Sequence, residues 1–269
     1  MTAPSVSHAG VWAVAKPQIK NVMRSKWLMS YALFCLAATE GLFRFTGGDA
    51  KTLLSLANIV LFLGPLVTVV YGTVYLYNSR EFIELLLAQP LKRRTLFGGL
   101  YVGLAAPLTA AFVIGVSAPF LLHGLSPDAR APLATILGGG AVLTLIFTGL
   151  AFCIALRFED RLTGLGMGMA AWLLLALIYD GVILFIVAVM PDRAIERSLL
   201  AVTLANPVDL VRIAVLLQFD ISALMGYTGA VFSRFFSGAI GVAVIAAALT
   251  TWVGAPVVLG FHEFKRKDF

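Results

Sequence analysis

Long apolar runs alternate with short charged stretches along the whole chain, and the length of each run decides what it is. A helix rising 1.5 Å per residue needs about 20 mostly apolar residues to cross a bilayer. Six runs meet that length, at about 27–45, 52–77, 98–122, 132–156, 164–190 and 238–261. The expected fold class is an all-α membrane protein with six transmembrane helices. A polar and basic segment, 1–26, precedes the 27–261 membrane domain, and a charged tail, 262–269, follows it.

The stretch 78–97, NSREFIELLLAQPLKRRTLF, is a charged and amphipathic interruption between the second and third runs. Asn78 or Ser79 can cap a helix, and Glu81 and Glu84 suit its positive end. Phe82, Ile83, Leu86 and Leu87 then form one apolar stripe. Pro90 ends the helix, because its ring removes a donor and disfavours helix at Gln89. A helix over 79–89 is therefore expected, followed by Lys92, Arg93 and Arg94 as a lipid-headgroup anchor.

Other local patterns carry definite expectations. In the first segment Lys16, Lys20 and Arg24 lie four apart, opposite an apolar face, so an interfacial helix is expected, with Pro17 at its start and the earlier residues in a separate turn. Gly47 to Lys51 reads as a tight turn, Pro65 as a bend in the second span, and Gly138, Gly139 and Gly140 as a place for close backbone approach. Gly164 and Gly168 form a GxxxG pair. Glu40 and Arg44 form an i, i+4 pair, and Asp180 lies well inside the fifth span, to be satisfied by Tyr179 or a facing serine. Ionisable groups at such depth make Asp180 and Glu40 candidates for a pathway or gate.

The segment 191–236 is the longest between spans. Within it Asn206 reads as an N-cap, Pro207 as the first helical residue and Asp209–Arg212 as an i, i+3 pair, giving an amphipathic helix on the outer surface.

Composition agrees with the run lengths: of 269 residues 60% are hydrophobic and 13% charged, with mean hydropathy +0.94. A soluble domain carries about 25% charged residues. The segments 1–26, 78–97, 157–163 and 262–269 hold thirteen of the twenty Lys and Arg in about 61 residues. The positive-inside rule then puts all four, and both termini, in the cytoplasm, with 191–236 outside. Net charge of +6 in a membrane chain signals this placement rather than nucleic acid. No short apolar core with a small-residue cleavage site opens the chain, so insertion is expected to rely on the first span. Cys35 and Cys153, both within apolar runs, read as core residues.

Chemistry of its own is not indicated. GxxxxGK[ST], HExxH and GxSxG are absent, and His8, His123 and His262 are scattered, so neither a nucleotide cradle nor a metal site is expected. Any work driven by ATP has to come from another subunit.

Four stretches together resemble the ABC-2 type permeases, the membrane subunits of ATP-binding-cassette transporters. They are KPQIKNVMRSKW at 16–27, similar to the family's elbow helix; Arg80-Glu81 through Leu85-Leu86-Leu87 to Pro90 and Arg93, similar to its coupling helix; Asn206-Pro207 with Asp209 and Arg212; and Phe264-Lys265-Arg266-Lys267-Asp268 at the end. Within the family the chain looks like the NosY-type permeases associated with nitrous oxide reductase maturation. Pro17, Phe82 and Gly99 depart from the family pattern, which has an acidic, a small and a lysine residue there.

The resemblance implies a non-catalytic homodimeric subunit that binds no cofactor itself, with ATP and Mg on a cytosolic NosF-like ATPase and a periplasmic NosD-like protein on the outer face. It implies a role in supplying copper or sulfur to nitrous oxide reductase. Arg80, Glu81 and Glu84 would make polar contacts with the ATPase while Phe82, Leu86 and Leu87 fill an apolar cleft. Alternatives are an exporter permease for another substrate, an ion-coupled secondary transporter using Asp180 or Glu40, and a membrane assembly scaffold.

Overall fold

A computed structural model describes residues 10–46, 49–88, 91–189, 202–219 and 238–267. Among the described residues every regular element is helical. In chain order they are α1 (Val11–Met23), α2 (Lys26–Thr46), α3 (Asp49–Asn78), α4 (Arg80–Leu87), α5 (Arg93–His123), a 3-10 turn (Pro127–Ala129), α6 (Arg130–Arg157), α7 (Arg161–Leu173), a π-turn (Leu174–Ile178), α8 (Tyr179–Val189), α9 (Pro207–Leu216) and α10 (Ala239–Arg266). Six stretches are long and apolar enough to cross a membrane: Lys26–Thr46, Ala50–Asn78, Arg93–His123, Pro127–Arg157, Arg161–Ile183 and Ile240–Arg266.

α3, α5 and α6 form the centre, and α2, α7 and α10 pack around them with most of their surface uncovered. Small residues set the close approaches. A Cβ at Gly140 would run into Phe112, one at Gly72 into Ala151, and one at Gly115 into the backbone of Ala32. At 138–140 side chains rather than a backbone come close: Gly139 meets Val211 of α9 and Gly140 meets Phe112, while a Cβ at Gly138 would meet open space. The GxxxG pair has its partner within the chain: Gly164 meets Tyr77 and Gly168 meets Val69 and Thr73 of α3.

α1 runs alongside the start of α5, Val11 and Val14 against Gly98 and Gly99, Gln18 against Gly103. Lys16, Lys20 and Arg24 keep the outward face. The helix continues unbroken through Pro17, contrary to expectation. The carbonyl deprived of a partner there is that of Ala13, which is exposed and can be solvated.

Several boundaries differ from the expected ones. Asp49, Ala50 and Lys51 are already helical, so the turn is shorter than Gly47–Lys51; Gly47 and Gly48 lie outside the described residues. α5 begins at Arg93, and only 158–160 remain as a loop before α7. Arg93 is not free for lipid. Its Nη1 donates to the carbonyls of Phe264, Lys265 and Lys267 at 3.1, 2.9 and 2.9 Å, satisfying the end of α10.

α9 is not a surface helix. Pro207 to Val211 are all buried, packed against α3, α6 and α10, because Val208, Leu210 and Val211 leave no polar face on that side. Of the outer segment, 191–201 and 220–236 lie outside the described residues, as do residues 1–9, 268 and 269.

Candidate functional site

The first candidate surface is α4. α3 stops at Asn78 and α4 starts at Arg80, so little chain separates them. Neither expected cap forms: the Ser79 hydroxyl donates backwards to the Tyr75 carbonyl at 2.8 Å, and Asn78 Oδ1 accepts from Arg161 at 3.4 Å. Ser79 continues the hydrogen bonding of α3 rather than opening a new helix. Ile83 is fully buried and anchors α4 to the core, with Leu86 and Leu87 half-buried against the same core. Glu81, Phe82, Glu84 and Leu85 face outward, Phe82 at 38% and Leu85 at 69% exposure. Gln89 and Pro90 lie outside the described residues.

Arg80 is turned inward. Its guanidinium stacks 4.6 Å from the centre of the Tyr77 ring and donates to the Phe158 carbonyl at 3.2 Å. The Tyr77 hydroxyl donates to the carbonyls of Phe158 and Asp160, at 2.9 and 3.2 Å. Asp160 in turn caps α7, accepting from the Thr163 amide and hydroxyl, both at 2.7 Å. Those bonds, the hydroxyl's first, hold its carboxyl below the usual carboxylate range. Lys267 donates to the Leu156 carbonyl at 2.8 Å. Burial, then the charge of Arg80, draws its ammonium below the ordinary lysine value, against the pull of Glu159 and Glu263. α4 is thus attached to the ends of α3 and α6, and the end of α10 is joined to the same platform by Arg93 and Lys267.

At the opposite end lies the second candidate, a charge cluster. Asn206 caps α9 as expected, accepting from the Val208 amide at 3.0 Å, with Pro207 next. Its side-chain amide also donates to the Leu175 carbonyl at 2.7 Å, inside the π-turn. Arg212 Nη1 donates to Asp209 Oδ1 at 3.1 Å and also to Asp180 Oδ2. Arg212, not Tyr179 or a serine, satisfies Asp180. Tyr179 instead donates to the Val202 carbonyl. Asp209 is buried, and among the described residues its Oδ2 has no hydrogen-bond partner. Burial, followed by the nearby Asp180 carboxylate, pushes Asp209 up to about 7, while Arg212 and Asn206 oppose the rise.

Glu40 accepts from Arg44 at 2.9 Å, as its spacing implies, and also pairs with His123 at 2.9 Å. His123 was not singled out with Glu40 in the sequence, although both close an apolar run at one end of the bundle. Tyr75, which donates to Gln18 at 2.8 Å and ties α3 to α1, carried no local signal at all. Among the described residues no group of three or more His, Cys, Asp or Glu converges as a metal site requires.

No family model matches the chain. It is 27% identical over 275 residues to the Probable ABC transporter permease protein NosY of Pseudomonas aeruginosa, a match covering 96% of this chain and 98% of that protein. It is 24% identical to the identically named protein of Stutzerimonas stutzeri, with the same coverage. The chain is thus similar over almost its whole length to two proteins named as ABC transporter permeases, and its six apolar helices make it a multi-pass membrane protein.

Proposed function

We propose that α4 is the lever through which a separate cytosolic ATPase drives this permease. The observation that carries this reading is the division of α4 into a fully buried anchor, Ile83, and an outward face of Glu81, Phe82, Glu84 and Leu85. A rigid element fastened to several spans can pass on a partner's movement only through contacts that differ between two states. Phe82 and Leu85 supply apolar contact to the ATPase and Glu81 and Glu84 polar contact, while Arg80, Leu86 and Leu87 hold α4 in place. ATP and Mg belong to that NosF-like partner. The density of basic residues supports a cytoplasmic location for α4 and both termini in a bacterial inner membrane.

In this reading two copies of the chain form the permease, with a NosD-like protein on the periplasmic face, and the complex serves transport or metal-site assembly, supplying copper or sulfur for nitrous oxide reductase. Asp180 and Glu40, each paired with a basic side chain, act as fasteners of the outer end rather than as ion ligands.

Co-purification with a NosF-like ATPase tests the reading. Glu81→Arg and Phe82→Asp should each reduce recovery of the complex at least five-fold and abolish stimulation of its ATPase rate. An intact complex and rate in both variants would overturn the assignment.

A further inference from the structure

Two adjoining cavities open where α1, α2, α3 and α5 meet. One, of about 360 Å³, is lined almost wholly by apolar and aromatic side chains, among them Trp27, Tyr31, Val67, Val70 and Leu108. The other, also about 360 Å³, is polar, with Asn21, Arg24, Ser25, Asn78 and Ser79 in its walls. Trp27, Tyr71 and Val74 line both, so the two share a wall.

Their order along α3 follows the depth of a membrane. Leu66 lies at the apolar end and Ser79 at the polar end, thirteen residues or about 20 Å apart at 1.5 Å per residue. One leaflet of hydrocarbon is about 15 Å deep, with its headgroups beyond. At the junction stand Trp27, 72% exposed, and Tyr71, whose hydroxyl makes no hydrogen bond among the described residues. Both are amphipathic rings of the kind that settle at the boundary between chains and headgroups.

The polar cavity is also electrostatically one-sided. Arg24 is the charged residue in its wall, no carboxylate lines it, and among the described residues Arg24 enters no ion pair. Lys20, one turn earlier on the same outward row, lines a neighbouring depression together with Arg24. The occupant therefore has an anion at headgroup depth and an apolar chain of about one leaflet's length below it.

We propose that this double cavity binds one anionic diacyl phospholipid, an acyl chain lying between α2 and α3 and the phosphate on Arg24. The site stands apart from the outward face of α4 and does not depend on ATPase docking. Its lipid fills the seam between α1 and the bundle.

Native mass spectrometry of the purified full chain, with added phosphatidylglycerol or phosphatidylcholine of matched acyl chains, tests this. One phosphatidylglycerol per chain should bind at least ten-fold tighter than phosphatidylcholine. Arg24→Glu should remove that preference, Val70→Trp should weaken both lipids at least five-fold, and Arg94→Glu, an exposed cation elsewhere, should change neither. Equal binding of the two lipids by the unaltered chain, or undiminished binding by Arg24→Glu, would overturn the proposal. A second measurement needs no bulky substitution: phosphatidylglycerol with brominated acyl chains should quench Trp27, measured as the difference from Trp27→Phe. Absence of that quenching, or a covalent dimer formed through Val70→Cys in membranes, would assign the cavity to something other than lipid.

Discussion

Arg212 on α9 donates to the carboxylate of Asp180 on α8, thirty-two positions earlier in the chain. The bond fastens a helix that does not span the membrane to one that does, and Asp209 shares the same guanidinium nitrogen. Two carboxylates beside one cation form a unit whose parts have different consequences when removed.

Arg212→Met leaves Asp180 and Asp209 facing each other without a cation. Breaking a fully buried pair costs about 3–5 kcal/mol, and partial exposure of Arg212 and Asp180 brings the expected loss to about 1–3 kcal/mol. Asp180→Asn should cost less, since Asp209 still holds the arginine. In the double variant Asp180→Asn/Arg212→Met the losses should be less than additive, as read from thermal unfolding in detergent.

Asp209 predicts a pH dependence. Its folded value, about 7, lies above the ordinary carboxylate value because burial and Asp180 disfavour its ionised form. The folded state then holds a proton that the unfolded state has lost, so stability from this group is complete below about pH 4 and declines as pH rises through about 7. Protonated, Asp209 can donate from its unpartnered Oδ2 to Asp180. Between pH 5 and 8 the unfolding midpoint should fall more steeply in the unaltered chain than in Asp209→Asn.

Gly103→Ala places a methyl group 2.6 Å from the Gln18 Cβ. α1 must then move off α5, at about 1–3 kcal/mol for overpacking, and the Gln18–Tyr75 bond lengthens with it. Faster hydrogen exchange confined to 11–23 would report the displacement. Gly138→Ala, where a Cβ meets open space, is the matched control and should leave exchange unchanged.

Arg93→Lys keeps the charge but lacks the planar fork. One ammonium cannot reproduce the hold on three carbonyls, so the last turn of α10 should fray, with a loss of about 1–2 kcal/mol and quicker digestion by carboxypeptidase. Arg93→Ala should fray it further.

Spans, the N-cap at Asn206 and the Asp209–Arg212 and Glu40–Arg44 pairs were legible in the sequence because each depends on neighbours within one or two turns. Asp180 could be marked as needing a partner, since an unpaired charge there is costly, but the partner is set by how α9 folds back, which no local pattern encodes. The same holds for Arg93, whose place in a basic cluster suggests lipid until α10 is brought beside it. Ser79 misled for a different reason: its hydroxyl has two uses, and the Tyr75 carbonyl at the end of α3 took it. On α4 the apolar stripe was visible, but which of its residues face the core depends on how the helix docks, and that left Ile83 inside and Phe82 outside.

The π-turn at Leu174–Ile178 has a consequence for the aim of the fifth span. In a regular helix each residue turns about 100°, so Asp180, twelve residues beyond Gly168, would point about 120° away from the face that meets α3. One inserted residue takes back about 100° of that rotation and returns Asp180 toward the protein side. The turn works as a phase shifter, letting one helix present glycines to α3 near one end and a carboxylate to Arg212 near the other. Deleting a single residue from 174–178 would make the span regular and leave Asp180 eleven steps beyond Gly168, about 20° from the face that meets α3, so Arg212 should keep its partner.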